Sequence, residues 1–304
     1  MATSRDLPPI TNFGSLFIKN QFCTKIPLPP KEPILVGKVA IITGSNSGLG
    51  LESAKQFLQA GLSHLVMAVR SLERGKEAAS KLRLINPKAT IDVWALDMES
   101  YPSVHAFSQR CQSELSKIDI VILNAGLTSI KFETTASTGH EKTIQVNYLS
   151  TMLLALLLVP ILKAKHAPGV PARLTIVNSI MSSLAKFPHR TQRPLLSSYD
   201  DTTIIPYDPT ESYSVSKLLG QIFLVKLLDY VKAEDIIINM VEPGYTKGTG
   251  LDRSVTGALR IPAAIFKGLA GRPVPQGAAT YYDATVVHGK ESHGCFLLNC
   301  GIGP

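Results

Sequence analysis

The chain has 304 residues, of which 45% are hydrophobic and 18% are charged, the composition of an ordinary globular protein with a full apolar core. Its length allows one large α/β domain or two small ones. The formal net charge of +8 would suit nucleic acid, an anionic membrane surface or a phosphorylated cofactor, but no basic run exceeds two residues. We therefore expect no nucleic-acid partner, and a basic surface with one phosphate pocket.

Signals for metal binding, secretion and membrane insertion are weak. The four cysteines form no CxxC pair and lie at no ligand spacing to a histidine, so no metal site is expected. Pro8 and Pro9 stand where a secretory signal would need an apolar segment. The longest apolar stretch, residues 149–162, is shorter than the roughly 20 residues of a membrane helix and is interpreted as a buried core helix. These features predict a cytoplasmic protein without an integral membrane segment.

In chain order, residues 1–36 come first, a proline-rich arm without clear periodicity that packs on the domain or frays. From Lys38 onward, Val- and Ile-rich runs alternate with helical stretches. Seven runs predict strands: KVAIITG, HLVMAVR, TIDVWALD, IDIVILNAG, RLTIVNS, IIINMVEPG and CFLLN. Because strands that are apolar on both faces and alternate with helices form covered parallel sheets, we predict a doubly wound α/β fold in a single domain, residues 37–304. Segments 184–210 and 248–275 are too short and irregular to fold alone.

A glycine-rich turn follows the first predicted strand and precedes a helix. Glycines at this place let the backbone turn tightly and approach a pyrophosphate, whose charge then lies at the helix N-terminus. The strand before the turn and the helix after it supply the context that glycines alone lack. The turn therefore predicts a dinucleotide site at Gly44, Asn46, Ser47, Gly48, Leu49 and Gly50.

The end of the second strand predicts which dinucleotide binds. An NAD site would place a carboxylate there to accept from the ribose 2′-hydroxyl. The sequence instead has Val69 and Arg70, with no acidic residue before Glu73. Because a guanidinium can bind a 2′-phosphate through paired hydrogen bonds, Arg70 favours NADP(H); an ordinary surface arginine is the alternative.

The ends of the next two strands carry further candidate cofactor contacts. Asp97 follows the third strand, where its carboxylate could accept from an adenine amino group or cap the next helix. Asn124, Ala125 and Gly126 follow the fourth strand, where small residues let the backbone contact the cofactor.

Tyr213 and Lys217 are the candidates for acid–base chemistry. They are four residues apart in a helical stretch and therefore share one face. A phenol has a pKa near about 10 and is a poor base at neutral pH, but a neighbouring ammonium lowers that pKa. Ser179, after the fifth strand, could hydrogen-bond the substrate oxygen, and Asn147 could hold a water that relays protons.

These motifs, TGxxxGxG, NAG, a helical Asn, a Ser after a strand, YxxxK and PG, occur in one order along the chain. In this set the sequence resembles the short-chain dehydrogenase/reductase family over about residues 37–300. VMAVRSLERG and ESHGCFL resemble its retinol-dehydrogenase-like and fungal members. The resemblance implies a Rossmann fold with a seven-stranded sheet and a catalytic tetrad of Asn147, Ser179, Tyr213 and Lys217, the last two also contacting the cofactor.

The resemblance also implies a nicotinamide contact at Pro243 and Gly244, followed by a threonine, which is Thr246 or Thr249. Two features depart from the family pattern. Asn178 precedes Ser179 in place of a second serine, so Ser182 and Ser183 remain alternatives for the catalytic serine. Glu242 stands before the PG motif, where a neutral residue is usual, and the sequence gives no reason for it.

The motifs predict an NADP(H)-dependent oxidoreductase that transfers a hydride between the nicotinamide and a carbonyl or secondary alcohol. Segment 248–275 is apolar and lies at the place of the family's substrate lid, which favours a small hydrophobic metabolite, such as one of fungal secondary metabolism. Ordinary packing of a helix pair explains the same apolar residues equally well.

Two other functions fit the motifs less well. An enzyme with this fold can catalyse a non-redox step such as cyclisation, dehydration or isomerisation, and it can keep the same tetrad. A regulatory dinucleotide sensor tends to lose the Tyr or the Lys, and both are present here. For assembly we predict a homodimer through the helices of Asn147 and Tyr213, or a monomer if segment 184–210 masks that face.

Overall fold

The computed structural model describes residues 3–30, 32–167, 169–248, 268 and 270–304. In these residues eight strands form one sheet. They are β1 (Val39–Thr43), β2 (His64–Val69), β3 (Thr90–Ala95), β4 (Ile120–Leu123), β5 (Ala172–Val177), β6 (Ile236–Glu242), β7 (Phe296–Leu298) and β8 (Gly301–Gly303). Their order is β3-β2-β1-β4-β5-β6-β7-β8, parallel throughout except for the antiparallel pair β7 and β8.

Helices connect the strands and cover both faces of the sheet. They are α1 (Phe13–Ile18), α2 (Gly48–Gln59), α3 (Leu72–Arg83), α4 (Tyr101–Glu114), α5 (Lys142–Ile144), α6 (Thr151–Lys165), α7 (Pro209–Leu227) and α8 (Val274–Tyr282). The π-helical residues Gln145–Ser150 join α5 to α6, so that Lys142–Lys165 is one continuous helix.

Alternating residues of the strands divide the apolar core into two layers. Ile41 of β1 belongs to a cluster with residues of α4, α6 and α7, such as Phe107 and Leu158. Its neighbour Ile42 belongs to a cluster with residues of α2, α3 and α8, such as Phe57. The predicted α/β fold with a doubly wound sheet is therefore confirmed. The eighth strand was missed because three residues with two glycines, Gly301–Gly303, carry no apolar pattern.

The long apolar helix lies inside the domain. By length and composition Lys142–Lys165 could cross a membrane, but 61% of its apolar window is buried in the structure. Leu154, Leu158 and Leu162 are fully buried. Core helices of this kind pass the same length test as membrane helices, and the interpretation of residues 149–162 as a buried core helix agrees with this packing.

The two irregular segments differ in how much of them is described. In segment 184–210, Tyr199 packs with Ile144, Val215 and Leu219, and so covers part of the helix pair that was predicted to form a dimer. Leu156 and Ile222 of the same pair stay exposed, and the oligomeric state remains a prediction. Most of segment 248–275, including Thr249 and the apolar residues of the predicted lid, lies outside the described residues.

We expect Leu158→Ala to lower the free energy of unfolding by about 2–5 kcal/mol, because it leaves a cavity in the core beneath α6. Leu156→Ala is the matched control, since Leu156 is 47% exposed on the same helix while Leu158 is 0% exposed. Urea unfolding followed by circular dichroism measures both. Equal destabilisation by the two substitutions would mean that the helix does not bury this face.

Candidate active site

The glycine-rich turn leads from the end of β1 into the start of α2. Gly44 and Gly48 have positive φ angles of +66° and +56°, which disfavour a side chain. A Cβ on Gly50 would lie 2.6 Å from Asn124 Nδ2 and 2.7 Å from the carbonyl oxygen of Gly44. The hydroxyl of Ser45 is buried without a hydrogen-bond partner in the described part of the chain. The turn therefore needs glycine for its backbone angles at Gly44 and Gly48 and for close packing at Gly50, and it holds one polar group without a partner in the described residues.

A cavity of about 480 Å³ lies between this turn and helix α3. On the α2 side it is lined by Asn46, Ser47 and Leu51, and on the α3 side Arg74 and Lys81 bring positive charge. Lys81 is paired with Glu77 at 2.8 Å, whereas the guanidinium of Arg74 makes no hydrogen bond within the described ranges. A helix N-terminus facing an unpaired guanidinium fits a phosphate group.

Arg70 lies at the end of β2, as predicted, but it already has a partner. Its Nη1 donates to Glu99 Oε1 at 2.6 Å, and its side chain is 68% exposed. An exposed ion pair of this kind contributes at most about 1 kcal/mol. The Arg70 guanidinium can therefore exchange Glu99 for a phosphate at little cost. Arg74 is a second cation near the glycine-rich turn, and sequence analysis did not identify it.

Asp97 and Asn124 make hydrogen bonds within the protein. The carboxylate of Asp97 accepts from Glu99 N at 3.0 Å, and the cap of α4 is Ser100, so the helix-cap alternative for Asp97 is wrong. Asn124 donates to Thr43 O at 2.8 Å and accepts from the hydroxyl of Tyr281 at 3.0 Å. These bonds fix the end of β4 beside the glycine-rich turn.

Tyr213 and Lys217 lie on one face of α7, as their spacing predicts. Lys217 Nζ is 5.7 Å from the centroid of the Tyr213 ring and donates to the carbonyl oxygen of Val177 at 3.0 Å. Burial lowers the pKa of the Lys217 ammonium to about 8. A buried positive charge therefore lies beside the phenol, where the low dielectric strengthens its effect.

Asn147 lies in the π-helical stretch between α5 and α6. Its Oδ1 accepts from Leu127 N at 2.9 Å, and its Nδ2 donates to Leu127 O at 2.8 Å and to Ser216 Oγ at 3.1 Å. A Cβ on Gly126 would lie 3.2 Å from Asn147 Oδ1 and 3.8 Å from Lys217 Nζ. Asn147 and Lys217 thus meet at Gly126. The π-helical stretch that carries Asn147 is of a kind that often occurs at functional sites.

Ser179 is the first of three candidate serines after β5. It caps the 3₁₀ turn Ile180–Leu184, and its Oγ accepts from Met181 N at 3.2 Å. Ser182 is buried, and the hydroxyl of Ser183 donates to Ile180 O at 2.8 Å. Asn178 ties Ser179 to α7, because it accepts from Ser179 N and donates to Lys217 O. Ser179 therefore lies just after the end of β5, next to the segment whose Val177 carbonyl oxygen accepts from Lys217.

The loop after β6 carries Pro243, Gly244 and Thr246. Thr246 is buried and its hydroxyl donates to Gly244 O at 3.0 Å. The buried Glu242 has its pKa raised to about 7 by burial, while the charge of Arg272 and the backbone amides of Gly244 and Ile180 favour its ionised form. Glu242 thus interacts with both the loop after β6 and the turn after Ser179.

Comparison with known proteins agrees with this architecture. The family model described as short chain dehydrogenase matches residues 38–189. The short chain dehydrogenase/reductase mfmJ of Annulohypoxylon moriforme is 50% identical over 306 residues, which cover 100% of this chain and 88% of that protein. The chain belongs to the short-chain dehydrogenase/reductase family. Enzymes of this family are oxidoreductases whose Rossmann fold binds a nicotinamide cofactor.

Other short-chain dehydrogenases cover most of the chain. The short chain dehydrogenase virL of Hypocrea virens is 43% identical over 290 residues, 95% of this chain and 83% of that one. A solved complex of Pseudomonas aeruginosa RhlG with NADP has a TM-score of 0.63 at 21% identity and covers 86% of this chain and 94% of that chain. At that identity the likeness shows the fold alone.

Within the short-chain dehydrogenase/reductase fold, the structure brings the predicted residues to one end of the sheet, where the carboxyl ends of the strands meet. Asn147 and Lys217 meet at Gly126, and the Tyr213 ring lies 5.7 Å from Lys217 Nζ; the roles of these residues stay predictions. The sequence missed Arg74 and Arg272. Arg74 could have been found, because it lies only four residues after Arg70 at the start of the next helix. Arg272 gives no such local signal, because its partners include Asn20, which is distant in the sequence.

We expect the stability of this dehydrogenase to depend on pH through Lys217. Because its pKa falls from 10.5 to about 8, the folded protein loses this proton at lower pH than the unfolded chain. The wild type should therefore gain up to about 3 kcal/mol relative to Lys217→Met as the pH rises through this interval. Urea unfolding at several pH values measures the difference.

Lys226→Met, at an exposed lysine of the same helix, is the control and should show a constant difference from wild type. A pH-independent difference between wild type and Lys217→Met would mean that Lys217 keeps an ordinary pKa in the folded protein.

Proposed function

We propose that this chain is an NADP(H)-dependent oxidoreductase that interconverts a carbonyl and an alcohol on a small hydrophobic molecule. The observation that carries the proposal is the buried ammonium of Lys217, 5.7 Å from the ring of Tyr213 and close to Gly126 and Asn147. A phenol beside a buried cation is suited to proton transfer at neutral pH.

Tyr213 acts as the acid or base. In reduction its hydroxyl gives a proton to the developing alkoxide, and in oxidation the phenolate takes a proton from the alcohol. Below its pKa of about 8 Lys217 is positively charged, and this charge stabilises the phenolate. Ser179 donates a hydrogen bond to the same substrate oxygen and so stabilises the charge that develops there.

Asn147 acts as a positioning residue in this proposal. Its side-chain amide is bound to the backbone of Leu127 and to Ser216, the neighbour of Lys217. It therefore holds the loop after β4 against α7, which fixes the ammonium of Lys217 relative to Gly126. Because Asn147 Oδ1 accepts only one hydrogen bond within the described residues, its second lone pair could hold the proposed proton-relaying water.

The cofactor site favours NADP(H). When bound, NADPH supplies the hydride, and the residues of this chain hold it. Gly44, Gly48 and Gly50 give the turn the tight backbone conformation that a pyrophosphate site needs, and Arg70 and Arg74 supply two guanidinium groups for the 2′-phosphate. The NADP complex of RhlG, which shares the fold, supports the same choice.

The substrate is proposed to be a small hydrophobic metabolite. The relatives reported above come from Annulohypoxylon moriforme and Hypocrea virens, and their similarity supports the proposed role in fungal secondary metabolism. The cytoplasmic location stays a prediction.

We expect Tyr213→Phe to lower turnover by about 10²–10⁴-fold, because only the hydroxyl that transfers the proton is lost. NADPH binding should stay within about twofold of wild type, since the ring still packs on Lys217. The measurement is NADPH absorbance with a panel of hydrophobic ketones and aldehydes, together with NADPH binding by fluorescence. Tyr230→Phe, at a tyrosine that is 80% exposed, is the matched control.

A Tyr213→Phe enzyme that keeps more than a tenth of the wild-type rate would rule out Tyr213 as the proton donor. Product formation without any NADPH oxidation would instead indicate a non-redox reaction at the same site, such as a dehydration or an isomerisation.

We also expect NADPH to bind at least about tenfold tighter than NADH, because charge-assisted hydrogen bonds contribute about 1.5–3 kcal/mol. Arg70→Asp should abolish or reverse this preference, and Arg74→Ala should weaken NADPH binding without affecting NADH. Titration of both cofactors measures the ratio. Arg110→Asp is the control, because Arg110 is also exposed and paired with a glutamate. Equal affinities of the wild type for the two cofactors would contradict the assignment.

A further inference from the structure

The N-terminal arm reaches the loop after β6 through Gln21. Its Nε2 donates to Tyr245 O and to Ala270 O, both at 2.7 Å, and its Oε1 accepts from Tyr245 N at 3.1 Å. A single side-chain amide thus makes three hydrogen bonds to the backbone of two other segments. The partners lie more than two hundred residues away along the chain, so the contact is tertiary.

Arg272 joins the same arm to the same loop. Its guanidinium donates to Asn20 O at 2.6 Å, to Pro243 O at 3.1 Å and to Asn299 Oδ1 at 2.7 Å. Asn299 in turn donates to Asn20 Oδ1 at 2.6 Å. Arg272 and Asn20 are both buried, so these bonds lie in a low-dielectric environment where a lost partner is costly.

The fit between the arm and the loop is close. Gly244 has a φ of +78°, and a Cβ on it would lie 2.6 Å from Arg272 Nη1 and 3.0 Å from Gln21 Oε1. One turn earlier in the arm, the ring of Phe17 lies 6.5 Å from the ring of Tyr245. Residues of the arm therefore pack closely against the loop that carries Pro243, Gly244 and Thr246.

We propose that residues 13–23, which we name the N-terminal clasp, hold this loop in the conformation that binds the nicotinamide half of the cofactor, with Gln21 as the main positioning residue. The proposal rests on the proposed function, because it assumes that a nicotinamide binds against Pro243, Gly244 and Thr246. A preorganised loop loses less conformational freedom on binding, so the clasp raises affinity without touching the ligand.

A clasp that positions the loop and an arm that only stabilises the fold predict different effects of Gln21→Ala on cofactor binding. Gln21→Ala removes three hydrogen bonds to the loop and to Ala270, but leaves the glycine-rich turn, Arg70 and Arg74 unchanged. NADPH has both halves of the cofactor, whereas 2′,5′-ADP has only the phosphorylated adenosine half. The two probes therefore separate an effect on the loop from a general loss of the folded state.

We expect Gln21→Ala to raise the Kd for NADPH by about five- to tenfold and to leave the Kd for 2′,5′-ADP within about twofold. Amide hydrogen exchange of the free protein in residues 244–248, which follow Pro243, should become faster in the variant. Gln21→Glu keeps an acceptor for Tyr245 N but loses both donors, so it should resemble Gln21→Ala. Gln109→Ala, at an exposed glutamine of α4, is the control and should change none of these measurements.

Each outcome decides for or against the clasp. Equal weakening of NADPH and 2′,5′-ADP, or a lower Tm with both Kd values unchanged, would overturn it in favour of a structural arm. Unchanged exchange in residues 244–248 would also overturn it. If the wild type binds neither probe, the proposed function fails, while the exchange experiment still shows whether Gln21 holds the loop.

Discussion

The ammonium of Lys217 is buried on α7 between the ends of β4 and β5, and burial of a charge is costly unless the surrounding groups compensate it. The carbonyl of Val177 accepts one of its hydrogen bonds. Gly126 leaves room beside it, and Asn147 fixes both neighbouring segments. The π-helical turn, the small residue after β4 and the position of α7 thus all serve to place one charge beside the Tyr213 ring.

Two further buried ionisable groups, Glu242 and Arg272, lie on the other side of the site. Burial raises the pKa of Glu242 to about 7, and it also lowers the pKa of the nearby Arg272. Glu242 interacts with the amides of Ile180 and Gly244, whereas Arg272 bonds to Pro243, Asn20 and Asn299. The turn after Ser179, the loop after β6 and the arm are therefore linked through these two side chains. The charge of Glu242 opposes the fall that burial causes in the pKa of Arg272, and a neutral residue at position 242 would remove this effect.

The sequence predicted those parts of the molecule whose signals are local. Each central strand is a run of apolar residues, and the glycines from Gly44 to Gly50 lie where a strand leads into a helix, so both features could be recognised along the chain. Tyr213 and Lys217 share a helical face because of their spacing alone. Gln21 and Arg272 have no such signal, because their partners are distant in sequence and a glutamine in a proline-rich arm looks like any surface residue. The eighth strand is invisible for another reason, since two of its three residues are glycine.

The two ends of the cofactor site also differ in how strongly the fold constrains them. Arg70 and Arg74 lie on the surface, and the ion pair of Arg70 with Glu99 contributes little to stability. Substitutions there should leave the core undisturbed, which makes them suitable for testing the proposed preference for NADPH. At the other end, Lys217, Glu242 and Arg272 are buried. Lys217 and Arg272 donate hydrogen bonds to backbone carbonyl oxygens of other segments, so a substitution of either leaves an acceptor without its donor. A substitution at Arg70 or Arg74 is therefore tolerated by the fold, whereas one at Lys217 or Arg272 also affects the segments that these buried side chains contact.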